Sequence, residues 1–441
     1  MKMKRLLAWL LALAMCFALA ACGQNATEDF AASKDKSTAS NKNDPAKTGT
    51  ATPLLYRVTD GRGNMIWLFG SIHIGREDFY PLPDYVLEAF ESADSLAVEA
   101  DIVAFEKDFS RQKQAMAPLV YTDGSTIQDH IPEELYNEAV EILKEYKSYA
   151  SAMDMYCPAL WSSMIESLMM EDLGGNFDLG IDRNLLDMAY DAEKEILEIE
   201  SAEFQYQMLA DFDDDLQIMM LESSIESQKH PIIAKLGLKM MMDLWASGDE
   251  SAFAAYLNAS DDTMTEEEAE IYAEYRQAMI SDRNLTMASY AENALASGKK
   301  VFICVGAAHI VGAGAMAELL SQRGYRVERV TGVEPTDQFF KTEDIVSITF
   351  YAYYGGGEGS EVPEENMTEI INWLHSFTIE REATDDDVLD GTNTYYVEIE
   401  YSDGTVIKEG LDVVMVDGVR YCLKKAQYPD CFQEIISEAS L

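Results

Sequence analysis

Two short apolar runs, far apart in the chain, constrain the fold of this sequence more than any other feature. They cover residues 65–69 and 301–305, and each is followed by glycine, a small residue, a variable residue, histidine and isoleucine. Uninterrupted apolar runs are typical of strands buried on both faces, as in parallel sheets covered by helices. A glycine at a strand end lets a ligand or another backbone segment approach closely. We therefore expect His73 and His309 to lie together at one edge of a parallel sheet.

Two acidic residues also follow segments that are predicted to be buried strands. Glu99 comes after the apolar residues 96–98, and Glu200 ends the segment 196–200. A carboxylate at the end of a buried strand is costly unless it is paired or bound to a metal. Ligands bind beyond the carboxyl ends of the strands in open α/β sheets. The sequence therefore predicts one crevice that is lined by His73, Glu99, Glu200 and His309.

Two histidines and a carboxylate suit a catalytic divalent metal with an open coordination position. We expect His73, Glu99 and His309 to hold Mn, Co or Zn, which lowers the pKa of bound water towards neutrality. Glu200 is the candidate general base or a supporting acid. The small residues beside the histidines would line the site, namely Gly70, Ser71, Gly306 and Ala307. The alternative is that each histidine is only a hydrogen-bonded residue of a turn.

Arg283 and Asn284 begin the last predicted helix before the second histidine segment. They can act as a surface cap of that helix. They can also point into the crevice, where the arginine would hold a carboxylate or a developing oxyanion. The preceding helical region, about residues 130–295, is rich in methionine, which is typical of a hydrophobic core.

The first 52 residues have the pattern of an export signal and a tether. Lysine or arginine at positions 2, 4 and 5 precedes an uncharged apolar run at 6–21, which is short for a transmembrane helix. Residues 19–22 resemble the lipobox of bacterial lipoproteins, in which the chain is cut before the cysteine, here Cys22, and that cysteine is lipidated. The polar residues that follow predict a flexible tether. An ordinary signal peptide with an incidental Cys22 is the alternative.

The charge balance argues against nucleic-acid binding. The chain has 33 basic and 79 acidic residues among 441, which gives a formal charge of −46 at pH 7. Phosphate contacts need basic patches, so neither a nucleic acid nor electrostatic adhesion of the whole protein to anionic lipid is expected. The predicted attachment is instead the lipid on Cys22, at the extracytoplasmic face of the cell membrane.

The pattern changes after residue 330. A linker precedes an alternating strand at 345–350, a helix around 365–377, and hairpins with turns at Asp403-Gly404 and Asp417-Gly418. Asp-Gly between alternating apolar residues is a strong hairpin signal. We therefore predict a separate α+β domain with an antiparallel sheet and a binding or positioning role. Cys422 and Cys431 are candidates for a disulfide in this domain.

In order and spacing, the motifs between residues 54 and 330 resemble the TraB/PrgY/GumN family. Its animal relatives include the Tiki proteases, and its fold is similar to that of the ChaN and erythromycin-esterase group. The resemblance rests on Gly70–Gly75, Val98–Asp101, Gly180–Asp182, Glu200–Gln205, Arg283–Asn284 and Gly306–His309. One departure is Phe204, which stands where many members have glutamate or glutamine.

The resemblance implies an α/β core in which parallel strands are wrapped by helices. It also implies paired active-site histidines, matched here by His73 and His309, and Glu99 and Arg283 match the family's acid and arginine. For the Tiki branch it implies metal-dependent peptidase activity. The pheromone-shutdown branch instead suggests binding of a peptide signal, and the ChaN relatives suggest binding of haem.

We therefore predict four parts of the chain: a lipoprotein signal peptide at 1–21, a tether at 22–52, a catalytic α/β domain at 53–333 and an α+β accessory domain at 334–441. The predicted function is that of a membrane-tethered, extracytoplasmic hydrolase, a metal-dependent peptidase acting on peptides or proteins. The competing prediction is a non-catalytic protein that binds a peptide signal or haem.

Overall fold

The computed structural model describes residues 49, 51–259, 264–332, 339–351, 359–383, 387, 395–416, 418–425 and 427–437. The chain divides into two compact units, one that ends at Val330 and one that begins at Thr331. The predicted signal peptide, Cys22, most of the predicted tether and the turn residue Asp417 lie outside the described residues.

Six strands form one sheet in the described part of the first unit: β1 (Leu55–Thr59), β2 (Met65–Ser71), β3 (Ser95–Val98), β4 (Glu195–Glu198), β5 (Val301–Gly306) and β6 (Arg326–Val330). Their order across the sheet is β4, β3, β5, β2, β1, β6. The strands from β4 to β2 run parallel to their neighbours. Strand β1 is antiparallel to β2 and to β6. The predicted α/β fold with a mainly parallel sheet is therefore confirmed.

Burial along the strands follows their positions in the sheet. Strands β3 and β5 are buried at every residue, as expected for central strands covered on both faces. Strand β4 is charged and partly exposed, which suits an edge strand because charges discourage further pairing. The register of β2 and β5 places Ser71 opposite Gly306, so the two glycine–histidine segments leave the sheet side by side.

A short turn joins β1 to β2, and helices lie between the later strands, with long helical insertions between β3 and β4 and between β4 and β5. The helices of this unit are α1 (Asp84–Ser92), α2 (Ile102–Lys107), α3 (Phe109–Met116), α4 (Glu133–Glu145), α5 (Pro158–Asp172), α6 (Ile181–Asp191), α7 (Ala202–Asp211), α8 (Asp214–Gln228), α9 (Pro231–Ser247), α10 (Glu250–Leu257), α11 (Glu266–Arg276), α12 (Asp282–Ser297) and α13 (Met316–Gln322). A π-helical turn, Gln277–Ser281, joins α11 to α12. The strands and most helices share one hydrophobic core. A smaller core, with Leu135, Trp161 and Leu221, lies between α4, α5 and α8.

None of the described helices is long and apolar enough to cross a membrane.

The second unit has two antiparallel sheets in its described part, as the predicted α+β domain requires. Its elements are β7 (Ile345–Tyr351), β8 (Ser360–Glu361), α14 (Met367–His375), β9 (Thr378–Glu382), β10 (Tyr396–Tyr401), β11 (Val406–Gly410), β12 (Val413–Val416), β13 (Val419–Lys424) and α15 (Asp430–Ser437). One sheet has the order β11, β10, β7, β8, and the other has the order β12, β13, β9. The hairpin predicted at Asp403-Gly404 joins β10 to β11, with Gly404 at a φ of +85°.

The disulfide considered between Cys422 and Cys431 is not formed, because both are free cysteines in the structure. The two thiols have different neighbours. Cys422 lies in β13 near Arg381 and Asp387. Cys431 lies in α15 near Glu369.

Candidate active site

The candidate site forms where four neighbouring parallel strands end. Across the sheet, Glu200 follows β4, Glu99 follows β3, His309 follows β5 and His73 follows β2. The N–H of Glu200 donates to the carbonyl oxygen of Glu99 at 3.0 Å, which continues the pairing of β4 with β3 past the strand ends. Strand order therefore brings residues from four distant segments to one edge of the sheet.

Arg283 joins two of these carboxylates in a buried network. Its Nε and Nη2 atoms each lie 2.9 Å from an oxygen of Glu200, and Nη2 lies 2.5 Å from Oε2 of Glu99. Gln205 donates to Glu99 at 3.2 Å and to Glu200 at 3.1 Å. Arg283 is 4% exposed, so water screens these charges little. Glu200 is therefore held beside Glu99 by both Arg283 and Gln205.

Glu99 is ionised although it is buried. Burial raises its pKa and is the largest single effect, but the charge of Arg283 and the smaller effects of its other neighbours together outweigh it. Both histidines and the N–H of Gly306 act in the same direction as Arg283, and the pKa of Glu99 falls to about 2. Gly306 donates to Oε1 at 2.7 Å. The backbone of the second glycine–histidine segment thus binds the carboxylate directly.

His309 is held in one tautomer by Asn284. The amide nitrogen of Asn284 donates to the carbonyl oxygen of Gly314 at 2.9 Å, which leaves Oδ1 of Asn284 to accept from Nδ1 of His309 at 2.7 Å. Burial, and then the charge of Arg283, lower the pKa of His309 to about 3 against the opposing charge of Glu99. The ring is therefore neutral at pH 7, with its lone pair on Nε2. That atom lies 4.0 Å from Oε1 of Glu99.

His73 is oriented in the same way by a carboxylate. Its Nδ1 atom lies 2.8 Å from Oδ2 of Asp182, and the hydroxyl of Ser71 donates to Oδ1 at 2.6 Å. Asp182 is in the first turn of α6, where the N–H of Ile181 donates to the carbonyl oxygen of Ile72 at 2.9 Å. The main chain of α6 therefore fixes the loop that carries His73. In the neutral ring that donates from Nδ1, the lone pair is again on Nε2.

The π-helical turn Gln277–Ser281 helps to position the side chain of Arg283. The carbonyl oxygen of Met279 accepts a hydrogen bond from Nη1 of Arg283 at 3.2 Å. Single π-helical turns within α-helices occur frequently at functional sites. Arg283 and Asn284, adjacent in sequence, thus hold Glu99 and His309 respectively, which is the inward orientation considered from the sequence.

Sequence reasoning left Asp182 and Gln205 out of the site. Both lie in segments of the family resemblance, Gly180–Asp182 and Glu200–Gln205, which was the signal available for them. Phe204, the departure from the family pattern, is 48% exposed on α7, and the neighbouring Gln205 bonds both carboxylates. Of the predicted lining residues, Ser71 bonds Asp182 and Gly306 bonds Glu99. Gly70 and Ala307 pack against each other, since a Cβ on Gly70 would lie 3.0 Å from the Cα of Ala307.

The donor set fits a divalent cation in type and charge. The site holds two imidazoles, three carboxylates and one guanidinium, so its carboxylates outnumber its permanent cation. Oε1 of Glu99 lies 4.0 Å from Nε2 of His309, and both side chains are buried. Among the described residues, no three His, Cys, Asp or Glu side chains are grouped closely enough to hold a metal as they stand. Binding a metal would therefore draw the side chains together.

A pocket adjoins the site on the side of Asn284 and Ala308. Its cavity volume is about 30 Å³, which is on the scale of one or two water molecules. Its walls mix apolar and polar groups, and they include Leu257, Tyr272, Tyr275, Arg276, Ile280 and Val311. The rings of Tyr272 and Tyr275 are stacked, with centroids 6.4 Å apart. The walls therefore offer both apolar contacts and hydrogen-bonding groups to a ligand.

Comparison with known proteins places the chain in a family. Curated relatives named Uncharacterized protein YbaP, from Escherichia coli (strain K12) and Shigella flexneri, are each 30% identical to this chain over 149 residues. That match covers 33% of this chain and 52% of each relative, so the chain spans about half the length of these relatives. No solved structure matches the chain. The model of the TraB/PrgY/gumN family matches residues 54–329, well over half of the sequence, and the chain therefore belongs to the TraB/PrgY/gumN family.

Proposed function

We propose that this protein is an extracytoplasmic hydrolase, tethered to the cell membrane by a lipid on Cys22, that cleaves peptides with the help of a divalent metal. His73, His309 and Glu99 would hold the metal. The observation that carries the proposal is the pair formed by Nε2 of His309 and Oε1 of Glu99. These atoms, a carboxylate oxygen and an imidazole nitrogen, lie 4.0 Å apart between two buried side chains.

Each residue of the site has its own task in this proposal. Asp182 and Asn284 accept the Nδ1 protons of the two histidines, which fixes the rings and directs the Nε2 lone pairs. Arg283 keeps Glu99 ionised and holds Glu200 beside it. Mn, Co or Zn, when bound, would supply Lewis acidity for attack on a carbonyl.

The pocket beside Asn284 gives the substrate a place to bind. Its mixed walls offer apolar and hydrogen-bonding contacts to a peptide that lies across its mouth. Asn284 lines the pocket and also orients His309, so such a peptide would lie next to the site.

Metal dependence is tested by chelation of the purified protein. An ion that binds only the folded state stabilises it by about 2.7 kcal/mol at a hundredfold excess over its dissociation constant. Chelator should therefore lower both the peptidase activity and the melting temperature of the parent. The variants His73→Ala and His309→Ala should not respond to chelator, whereas His130→Ala and His375→Ala, which change histidines outside the site, should respond like the parent. A parent that binds no divalent metal and ignores chelator would contradict the metal proposal.

A peptide library separates a hydrolase from a binding protein. Incubation with the enzyme should create new peptide termini, with a yield that exceeds the amount of protein. Stoichiometric capture of intact peptides, or of haem, would support the non-catalytic alternative instead.

The anchor is tested by Cys22→Ser in the producing cell. The variant should carry no lipid, because serine has no thiol to accept it, and the chain should appear as unprocessed precursor or as released protein. A variant that partitions as the parent does would rule out the lipid on Cys22.

A further inference from the structure

Helix α9 exposes a row of large apolar side chains. Ile232, Leu236 and Met240 are 77%, 62% and 43% exposed. They are spaced four residues apart, so they lie on one face of the helix. The opposite face packs into the core through buried residues that include Leu238, Met241 and Trp245. Single exposed apolar residues are ordinary, but a row of three on one helix face marks an interaction surface.

Two lysines lie among these apolar residues. Lys235 and Lys239 are both exposed, one position before Leu236 and Met240. The nearest acid on the helix, Asp243, is paired with Lys239 and with Arg76. This face therefore carries positive charge, although the formal charge of the whole chain is −46. Apolar residues with lysines beside them are the pattern of a helix that lies in the interface of an anionic bilayer.

The chain from the predicted lipid site enters the fold at the same helix. The N–H of Thr52 donates to the carbonyl oxygen of Ala246 at 2.7 Å, and its hydroxyl donates to that of Ser247 at 3.0 Å. Ala246 and Ser247 are the last residues of α9. The segment that leads back to Cys22 therefore starts at the end of α9, and a flexible tether from that point leaves this helix within reach of the membrane.

We propose that the exposed face of α9, formed by Ile232, Lys235, Leu236, Lys239 and Met240, binds the surface of an anionic lipid bilayer. The proposal deepens the membrane-tethered part of the proposed function, but it does not need the lipid on Cys22 to be correct. Contact at this face also bears on the site, because Trp245 of α9 donates from Nε1 to the carbonyl oxygen of Gly70 at 2.9 Å. The bilayer would thereby hold the first glycine–histidine segment at a set distance from the membrane.

The test is vesicle sedimentation of the chain from residue 22 onward with the change Cys22→Ser, so that no lipid can be attached. The described fold begins at residue 49, and removal of residues 1–21 leaves all described contacts in place. Vesicles of phosphatidylcholine alone are compared with vesicles that contain phosphatidylglycerol. We expect binding to the anionic vesicles, and a loss of roughly tenfold or more in affinity for Ile232→Ser/Leu236→Ser/Met240→Ser.

Two further variants make the comparison specific. Lys235→Gln/Lys239→Gln should weaken binding to anionic vesicles by roughly fivefold per lysine and should remove the preference over neutral vesicles. Phe109→Ser/Val346→Ser/Val406→Ser changes three residues that are 62%, 57% and 56% exposed outside α9, and it should bind like the parent. Circular dichroism checks that each variant is folded.

Three results would overturn the proposal. The parent could fail to bind anionic vesicles, or the control variant could lose as much affinity as the α9 variant. The α9 variant could also convert a self-associated parent into a monomer without any effect of vesicles, which would make this face an interface between copies. None of these results depends on peptidase activity, so the hydrolase proposal would stand or fall separately.

Discussion

Arg283 is the residue on which the charge balance of the site depends. It bonds Glu99 and Glu200 at once, and Gln205 bridges the same two carboxylates. Transfer of two carboxylates into a buried site is costly, and the guanidinium offsets part of that cost through bidentate bonds that lysine cannot make. The guanidinium of Arg283 is therefore already occupied in stabilising the ionised form of Glu99.

Replacement of Arg283 should be far more destabilising than loss of a surface arginine. Arg283→Met leaves two buried carboxylates without a cation, and we expect a loss of about 3–5 kcal/mol in the free energy of unfolding. The matched control is Arg57→Met, whose side chain is 47% exposed and pairs with Glu328, and which should cost at most about 1 kcal/mol. Urea denaturation measures both. Equal losses in the two variants would contradict the assignment of Arg283 as a buried partner of both acids.

Glu166 is a second buried acid, and it lies in the helical region away from the sheet edge. It is 1% exposed in α5, and its Oε2 atom accepts no hydrogen bond within the described part of the chain. Burial raises the pKa of Glu166 well above its usual value. Below the pKa of the unfolded chain, both states are protonated. Above it the folded state binds the extra proton, so this group makes the protein less stable as pH rises.

The pH dependence of Glu166→Gln follows from that sign. Glutamine keeps the shape and carries no charge, so the variant should gain about 1–3 kcal/mol over the parent at pH 8 and less at pH 5. Melting temperatures of the parent and the variant at both pH values measure the difference. Glu134→Gln, on the exposed side of α4, provides the control for loss of a negative charge. A gain that is the same at pH 5 and pH 8 would show that proton uptake by Glu166 is not the cause.

At the scale of elements, the loop after β2 is fastened to the start of α6 by close backbone contact. Glycine is required there, because a Cβ on Gly75 would lie 2.0 Å from the carbonyl oxygen of Leu179 and one on Gly180 would lie 2.4 Å from that of His73. Gly75 also donates to the carbonyl oxygen of Asn176 at 3.1 Å. These close contacts fix the loop that carries His73 relative to α6 and to Asp182 in its first turn.

Gly75→Ala should therefore move the His73 loop away from α6. We expect a loss of roughly 1–3 kcal/mol in stability from overpacking, together with a loss of activity or metal affinity of about tenfold or more. Gly61→Ala is the matched control, since a Cβ there meets no atom within 4 Å. Thermal unfolding and metal titration of the two variants test the prediction, and it fails if Gly75→Ala titrates metal like the parent.

At the scale of the whole molecule, the two units have separate hydrophobic cores. The core of the first unit contains its six described strands, and the core of the second contains Phe350, Trp373 and Phe432 among its aromatic residues. A unit with its own core can fold alone when few of its buried contacts come from elsewhere.

We therefore expect residues 53–333 to fold without the rest of the chain. The truncated protein should be soluble, should unfold cooperatively, and should retain the activity of the parent on small peptides. Limited proteolysis of the parent should cut between about 331 and 343, at the boundary between the units. Aggregation of the truncated chain under conditions in which the parent is soluble would show that the two parts share one core.

The sequence by itself determined the parallel sheet and the positions of the two histidine segments. Continuous apolar runs need cover on both faces, and this local requirement was enough to predict β2 and β5 and the glycines that end them. The Asp-Gly turn at 403–404 was predictable for the same reason, because its backbone conformation is local.

Only the tertiary structure decided the partners of the site residues. Arg283 and Glu99 are 184 positions apart, and Asp182 and His73 are 109 apart, so no short-range pattern encodes either pair. The exposed face of α9 was likewise undecided by its sequence, because an apolar helix is buried or exposed according to what packs against it, and the fold covers only one side.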